Sequence, residues 1–138
     1  MVAVIRISGM VKMPKDVSNT FDRLRLRRKY ACVLVDNNKK MKGMLKRVRN
    51  NAAYGNIDDK TLIELIEERG QLIDKKKKIN AKKISEEIMK NKNMKDLEIK
   101  PFFRLHPARK GINTKQHFPK GVLGDHKDKI NDLIRRML

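Results

Sequence analysis

The chain is poor in the groups that perform covalent chemistry or cross membranes. It has a single cysteine, Cys32, so no internal disulfide can form, in keeping with a reducing compartment. Cys32 lies inside the apolar run Ala31 to Val35 and reads as a buried, inert thiol. No stretch approaches the roughly 18 apolar residues a membrane span needs. The apolar run Val2 to Ile5 is cut by Arg6 and is too short for a secretory signal, which implies a cytosolic protein without a membrane partner. The histidines are His106, His117 and His126; their spacing matches no common zinc pattern, and no metal is expected. There is no glycine-rich phosphate loop followed by Lys and Ser or Thr, no Cys–His pairing and no serine elbow. We therefore expect no cofactor and no catalytic residue. Asp36 is the one acid at a typical strand-end position, and it reads as a turn or cap residue.

Negative charge is also scarce. Against 35 Lys and Arg stand 16 Asp and Glu, a net of +19 in 138 residues. Self-repulsion of that size destabilises a compact chain unless a polyanion relieves it. The excess is uneven. Residues 1–50 hold 14 basic and 3 acidic side chains, a net of +11; residues 51–100 are close to balanced at +2; residues 101–138 carry +6. Two cationic regions flank a nearly neutral middle, as in a protein that docks its ends on a polyanion and uses its middle otherwise.

Hydrophobic periodicity supplies the elements. Ala3, Ile5 and Ile7 alternate with Val4, Arg6 and Ser8, the pattern of a half-buried strand. Asp16 is placed to cap a helix with Val17, Phe21 and Leu24 on its apolar stripe. Tyr30 to Val35 is continuously apolar and reads as a strand buried on both faces. After the turn at Asp36, Asn37 and Asn38, the residues Met41, Met44, Leu45 and Val48 predict a helix whose other face is basic. Ala52 to Gly55 suits a third strand. This order implies a small sheet covered by two helices, with the pairing direction left open.

The middle predicts two helices. One is capped by Asp58 or Asp59 and stopped by Gly70; the other starts at Asn80, after the solvated basic run Lys75 to Lys78. Phe102, Phe103 and Leu105 around Arg104 suggest a short strand with both aromatics in the core. Residues 108–124 read as an extended basic loop, and a final helix is predicted from Asp125 with Ile130, Leu133, Ile134 and Met137 inward.

The segments VIRISGMVKMPKDV, LRLRRKYACVLVDN and GMLKRV resemble the core of the large-subunit ribosomal protein family called L-thirty in archaea and bacteria and L-seven in eukaryotes. FFRLHPARKG and INDLIRRML are similar to the C-terminal part of its archaeal and eukaryotic members. The resemblance implies an α+β fold, a ferredoxin-like βαβαβ core with a three-stranded antiparallel sheet over residues 1–57. It further implies a helical insertion over 58–100 and a strand, basic loop and C-terminal helix over 101–138. It implies a monomer in the large ribosomal subunit, contacting 23S-type rRNA near the 5S rRNA, which is itself a candidate partner, together with neighbouring ribosomal proteins.

Charge then nominates the RNA-binding residues, since cations hold phosphates without reading sequence. The first cluster is Arg23, Arg25, Arg27, Arg28 and Lys29; the second is the helix face with Lys39, Lys40, Lys42 and Lys46; the third is the C-terminal segment with Arg104, Arg109, Lys110, Lys115 and Lys120. An irregular segment such as the third could order on binding, with RNA supplying the missing contacts. The bland alternative for each is a solvated face. The rival functions are an RNA-processing enzyme, which would need convergent acids or a His with a partner, Asp36 being the only acid at a strand-end site, and a free nucleic-acid chaperone, which the periodic core and the near-neutral middle oppose.

Overall fold

The computed structural model describes residues 1–73, 80–90, 97–112 and 114–138. The expected basic run Lys75 to Lys78 lies outside the described residues. The chain begins with β1 (Val2–Arg6), α1 (Lys15–Arg23), β2 (Ala31–Val35), α2 (Lys39–Val48) and β3 (Ala52–Asn56). α3 (Asp59–Arg69) and α4 (Ala81–Met89) follow, then β4 (Phe103–Arg104), β5 (Gly124–Asp125) and α5 (Ile130–Met137). β1 is central and antiparallel to both β2 and β3, the pairing that the resemblance implied. The sheet nevertheless has five strands in the order β4-β2-β1-β3-β5 rather than three. The two additions are two-residue strands from the C-terminal third: β4 pairs antiparallel with β2, and β5 runs parallel to β3. Elements this short give almost no periodic signal.

The sheet is covered on both faces. Val2 and Val4 pack with Phe21, Leu24 and Leu26 from α1 and its exit, and with Leu45 and Val48 of α2. Ala3, Ile5 and Ile7 point the other way, into a larger core with Leu62, Leu65 and Ile66 of α3, Ile88 of α4, and Ile130, Ile134 and Met137 of α5. β1 is therefore buried throughout, which corrects the half-buried expectation. The alternation described two faces correctly, but the cover for the second face comes from helices more than fifty residues away. β2 is buried over Ala31–Val33 and half-buried at Leu34 and Val35. Phe103 is fully buried and Phe102 is half-buried against the smaller core.

Helix ends differ from the expectation in three places. Asp16 lies inside the first turn of α1, one residue past its start, and Pro14 occupies the cap; its fixed φ of -57° suits the entry. Asn38 and Asn80 do cap, accepting from the backbone N–H groups of Met41 at 2.8 Å and Lys83 at 3.5 Å. Asp58 precedes α3 without a side-chain cap bond; its own N–H donates to Asn131 Oδ1 at 3.0 Å. Asn131 is buried and also donates to the Asn56 and Asp128 carbonyls, so it stitches α5 to the β3–α3 junction. The final helix starts at Ile130, not Asp125, because Asp125 is used in β5 and a 3-10 turn, Lys127–Lys129, intervenes.

A candidate nucleic-acid interface

Sheet topology decides which loops are neighbours. The registers place the C-terminal ends of β1 and β4 beside the N-terminal ends of β2, β3 and β5: Arg6 opposes Ala52, Ala31 opposes Arg104, and Ala53 opposes Gly124. Residues 7–14, 24–30, 49–51, 105–112 and 114–123 therefore emerge at one end of the sheet. The opposite end has mixed charge: Asp36, Asp58, Asp59, Asp125 and Asp128 lie at or just beyond the ends of β2, β3 and β5, together with Lys39, Lys40, Lys127 and Lys129. The strands between are five residues long, so the two ends are separated by roughly 17 Å of sheet.

All fourteen cations nominated from the sequence are exposed. They are not all together. Arg23 ends α1, and Arg25, Arg27, Arg28 and Lys29 follow it in a loop rather than on the helix. Leu24 and Leu26 alternate with them and are buried, so the loop is an amphipathic strap with its cations outward. Arg25 and Tyr30 adopt left-handed φ values of 60° and 62°, which bend the strap back toward the sheet. Arg104 joins this cluster: Ala31 is its strand partner, and the next residue, Leu105, donates its N–H to the Tyr30 carbonyl at 3.0 Å.

Lys115 and Lys120 reach the same end from the other sheet edge. Their segment has its own ladder among the described residues, with Val122 N–H to Thr114 O at 3.3 Å, Leu123 N–H to Gln116 O at 3.0 Å and Phe118 N–H to Leu123 O at 2.8 Å. Val122 and Leu123 are buried, and His117 Nε2 meets Asn50 Oδ1 at 2.9 Å. Two apolar anchors and a backbone ladder thus hold this segment, which the sequence predicts as an extended basic loop. Arg109 and Lys110 follow the C-terminus of α5, where Arg109 N–H donates to the Arg136 carbonyl at 2.8 Å. Arg109 lines a cleft with Glu64, Glu67 and Glu68 of α3, which lowers the local positive potential there.

The basic face of α2 divides. The helix runs from the mixed-charge end to the cationic end, so Lys39 and Lys40 lie next to Asp36, whereas Arg47 and Arg49 arrive at the cationic end. Lys42 and Lys46 line a shallow cleft with Asp125 and Lys127. Topology brings together Arg25, Arg27, Arg28, Lys29, Arg104, Lys115 and Lys120; it leaves Lys39 and Lys40 apart.

Sequence reasoning missed the residue behind the first cluster. Arg6 is 3% exposed on a central strand. Its guanidinium donates to the carbonyls of Ser8 at 3.0 Å, Leu26 at 2.7 Å and Gly9 at 3.0 Å, and lies 4.5 Å from the centroid of the Phe21 ring. Burial lowers its pKa below the ordinary arginine value, a shift opposed by the Asp22 carboxylate. The fork thus ties the loop after β1 to the strap after α1. Only its odd position inside an apolar run signalled it.

Among the described residues, no group of three or more His, Cys, Asp and Glu is placed to hold a metal, and no helix is long and apolar enough to cross a membrane. Asp36 is exposed, at the end away from the cationic loops. Burial pushes the Cys32 thiol up to about 12, far from the range of a nucleophilic thiolate.

Comparison with known proteins adds relatives. The model of the family Ribosomal protein L30p/L7e matches residues 2–50, which span β1 to the end of α2. The chain is 36% identical to a large ribosomal subunit protein uL30 of Archaeoglobus fulgidus, over 99% of both chains. It is 36% identical to the uL30 of Methanococcus maripaludis, over 99% of this chain and 98% of that one. The same identity holds for the uL30 of Nanoarchaeum equitans, over 99% and 97%.

Proposed function

The chain belongs to the ribosomal protein L30p/L7e family, and from that premise we propose how it serves as a structural constituent of the large ribosomal subunit: its cationic end docks on folded large-subunit rRNA. The observation that carries this reading is the placement of Arg25, Arg27, Arg28, Lys29, Arg104, Lys115 and Lys120 at one end of the sheet, whereas the other end mixes its lysines with Asp36, Asp58, Asp59, Asp125 and Asp128. A charge distribution of this kind orients the protein as it approaches a polyanion. Arg forks on an anchored loop suit phosphates of an irregular surface better than those of a uniform rod, because they hold a phosphate bidentately in fixed directions. Arg109 and Lys110 flank that surface, and Lys39, Lys40, Lys42 and Lys46, toward the other end of the sheet, contribute at longer range. Contact with 5S rRNA is the finer part of the proposal and rests on the family resemblance alone.

The protein acts by binding and not by catalysis. A nuclease built around Asp36 needs convergent acids where the RNA lies, whereas Asp36 sits at the end of the sheet away from the Arg25–Lys29 strap. The test is a filter-binding series across potassium chloride concentrations. Affinity for folded large-subunit rRNA should exceed that for duplex DNA of equal length at each salt. Replacing Arg25, Arg27 and Arg28 with Gln should reduce the slope of log K against log salt by roughly 0.7–0.9 per lost phosphate contact. Equal affinity for rRNA and DNA would refute specific rRNA docking.

A further inference from the structure

The loop between β1 and α1 presents two apolar side chains to solvent at the cationic end. Met10 is 71% exposed and Val11 is 87% exposed. The other large exposed hydrophobic residues among those described, Ile73 and Met89, lie elsewhere, in the α3–α4 region. The exposure does not come from a loose loop. Its near side is clamped by the Arg6 fork on the Ser8 and Gly9 carbonyls and by the Ile7 and Ser8 N–H groups, both donating to the Asn51 carbonyl at 3.0 and 3.1 Å. On its far side Met13 is partly buried against the smaller core with its sulfur 3.6 Å from Arg6, and Pro14 starts α1. Between these anchors Met10, Val11 and Lys12 project. The same guanidinium holds the Leu26 carbonyl, so the apolar tip and the Arg25–Lys29 strap are fixed to one another.

We infer that Met10 and Val11 form an apolar wedge that packs on the face of an unstacked rRNA base, while the surrounding cations hold the flanking phosphates. The inference rests on the rRNA-docking reading above and deepens it. Charge favours RNA as the occupant. The tip is bordered by Lys12 and Lys15 and by the Arg25–Lys29 strap, and the near acids Asp16 and Asp22 belong to α1 behind it. Apolar side chains such as Met and Ile are used as wedges at base steps, and folded RNA offers splayed bases in its loops and bulges.

The test uses the full chain and deproteinised large-subunit rRNA. The tip touches little of the core, so its variants keep the fold, which circular dichroism verifies. M10S/V11S should weaken binding by roughly tenfold at every salt without changing the salt slope, the size expected when a small apolar contact is no longer buried. V11F should retain or tighten binding. Chemical probing of base faces should show one or two nucleotides protected by the wild-type chain and by V11F but not by M10S/V11S. Wild-type affinity in M10S/V11S would overturn the wedge while leaving the cationic end in place. So would V11F behaving like the serine variant. Unchanged affinity for naked rRNA together with poor incorporation into subunits would give the tip to a protein neighbour, and also overturns the wedge. Failure of the wild-type chain to bind rRNA would refute the functional reading itself.

Discussion

Arg6 is where fold and interface meet, so its replacement by Met is the most informative perturbation. Methionine keeps much of the volume beside Phe21 and removes the charge and all the donors. Three charge-assisted bonds end, each of order 1.5–3 kcal/mol in favourable settings. The ring contact adds up to about 2 kcal/mol when desolvated. Against this stands the cost of keeping a cation 3% exposed with no carboxylate among the described residues bonded to it, several kcal/mol by itself. The carbonyls of Ser8 and Gly9 belong to partly exposed loop residues and can find water after the change; that of Leu26 is bonded in a buried setting and cannot. The net loss is therefore about 2–4 kcal/mol, or roughly 10 °C in Tm for a chain of this size. Arg6→Lys should fall between, since one ammonium cannot span three carbonyls in a fixed fork. Urea denaturation followed by far-ultraviolet circular dichroism gives the stability. Amide hydrogen exchange over residues 7–14 and 24–30 should show faster exchange in the strap and loop than in α3 or α5. Unchanged stability in R6M, with unchanged exchange in both loops, would refute the clamp.

Other sites give sharper single outcomes. A Cβ at Gly55 would run into the Lys127 carbonyl and the Ile130 side chain, so Gly55→Ala should cost roughly 2–4 kcal/mol in a denaturant titration, by displacing the start of α5. Cys32 should resist iodoacetamide at pH 8 in the native chain and react fully in denaturant, and rapid native labelling would contradict its burial. Burial lowers the His126 pKa below the ordinary 6.5, although the Val122 carbonyl at 2.7 Å and Asp125 oppose the shift. Because the folded value is the lower one, the unfolded chain takes up the proton first as pH falls. This residue's stabilising contribution is thus full above pH 6.5 and is lost as pH drops below it. The denaturation midpoint of wild type should fall more steeply than that of His126→Gln between pH 6.5 and about pH 5.

The elements with long apolar periods were legible in the sequence. α2 and α3 fall where Met41, Met44, Leu45 and Val48, and Leu62, Leu65 and Ile66, place them, and Asn38 and Asn80 cap as their positions suggest. β4 and β5 were only partly legible, because a two-residue strand exists through its partner and not through its own pattern. Asp125 illustrates the point: its acid suited a helix start, but pairing of Gly124 and Asp125 with Ala53 and Tyr54 took precedence. At the interface the cations themselves could be read from composition. Their grouping could not, since it depends on β4 and β5 delivering residues 105–112 and 114–123 to the same end as the strap. Arg6 and the Met10–Val11 tip show the complementary failure. Each breaks a local rule, a charge in a strand core and apolar residues in a loop, and the reason for each lies in what another segment places beside it.

The central claim, docking on the large subunit through the cationic end, is tested most directly by co-sedimentation. Labelled chain, wild type or with Arg25, Arg27 and Arg28 replaced by Gln, is incubated with large subunits that lack this protein and spun through a sucrose gradient at increasing salt. The wild-type chain should travel with the subunit at moderate salt and be stripped only at high salt. The triple variant should leave at distinctly lower salt, whereas replacing Lys39 and Lys40 at the opposite end of the sheet should shift release much less. Release of the wild-type chain at the lowest salt, or equal effects of the two sets of substitutions, would contradict the account.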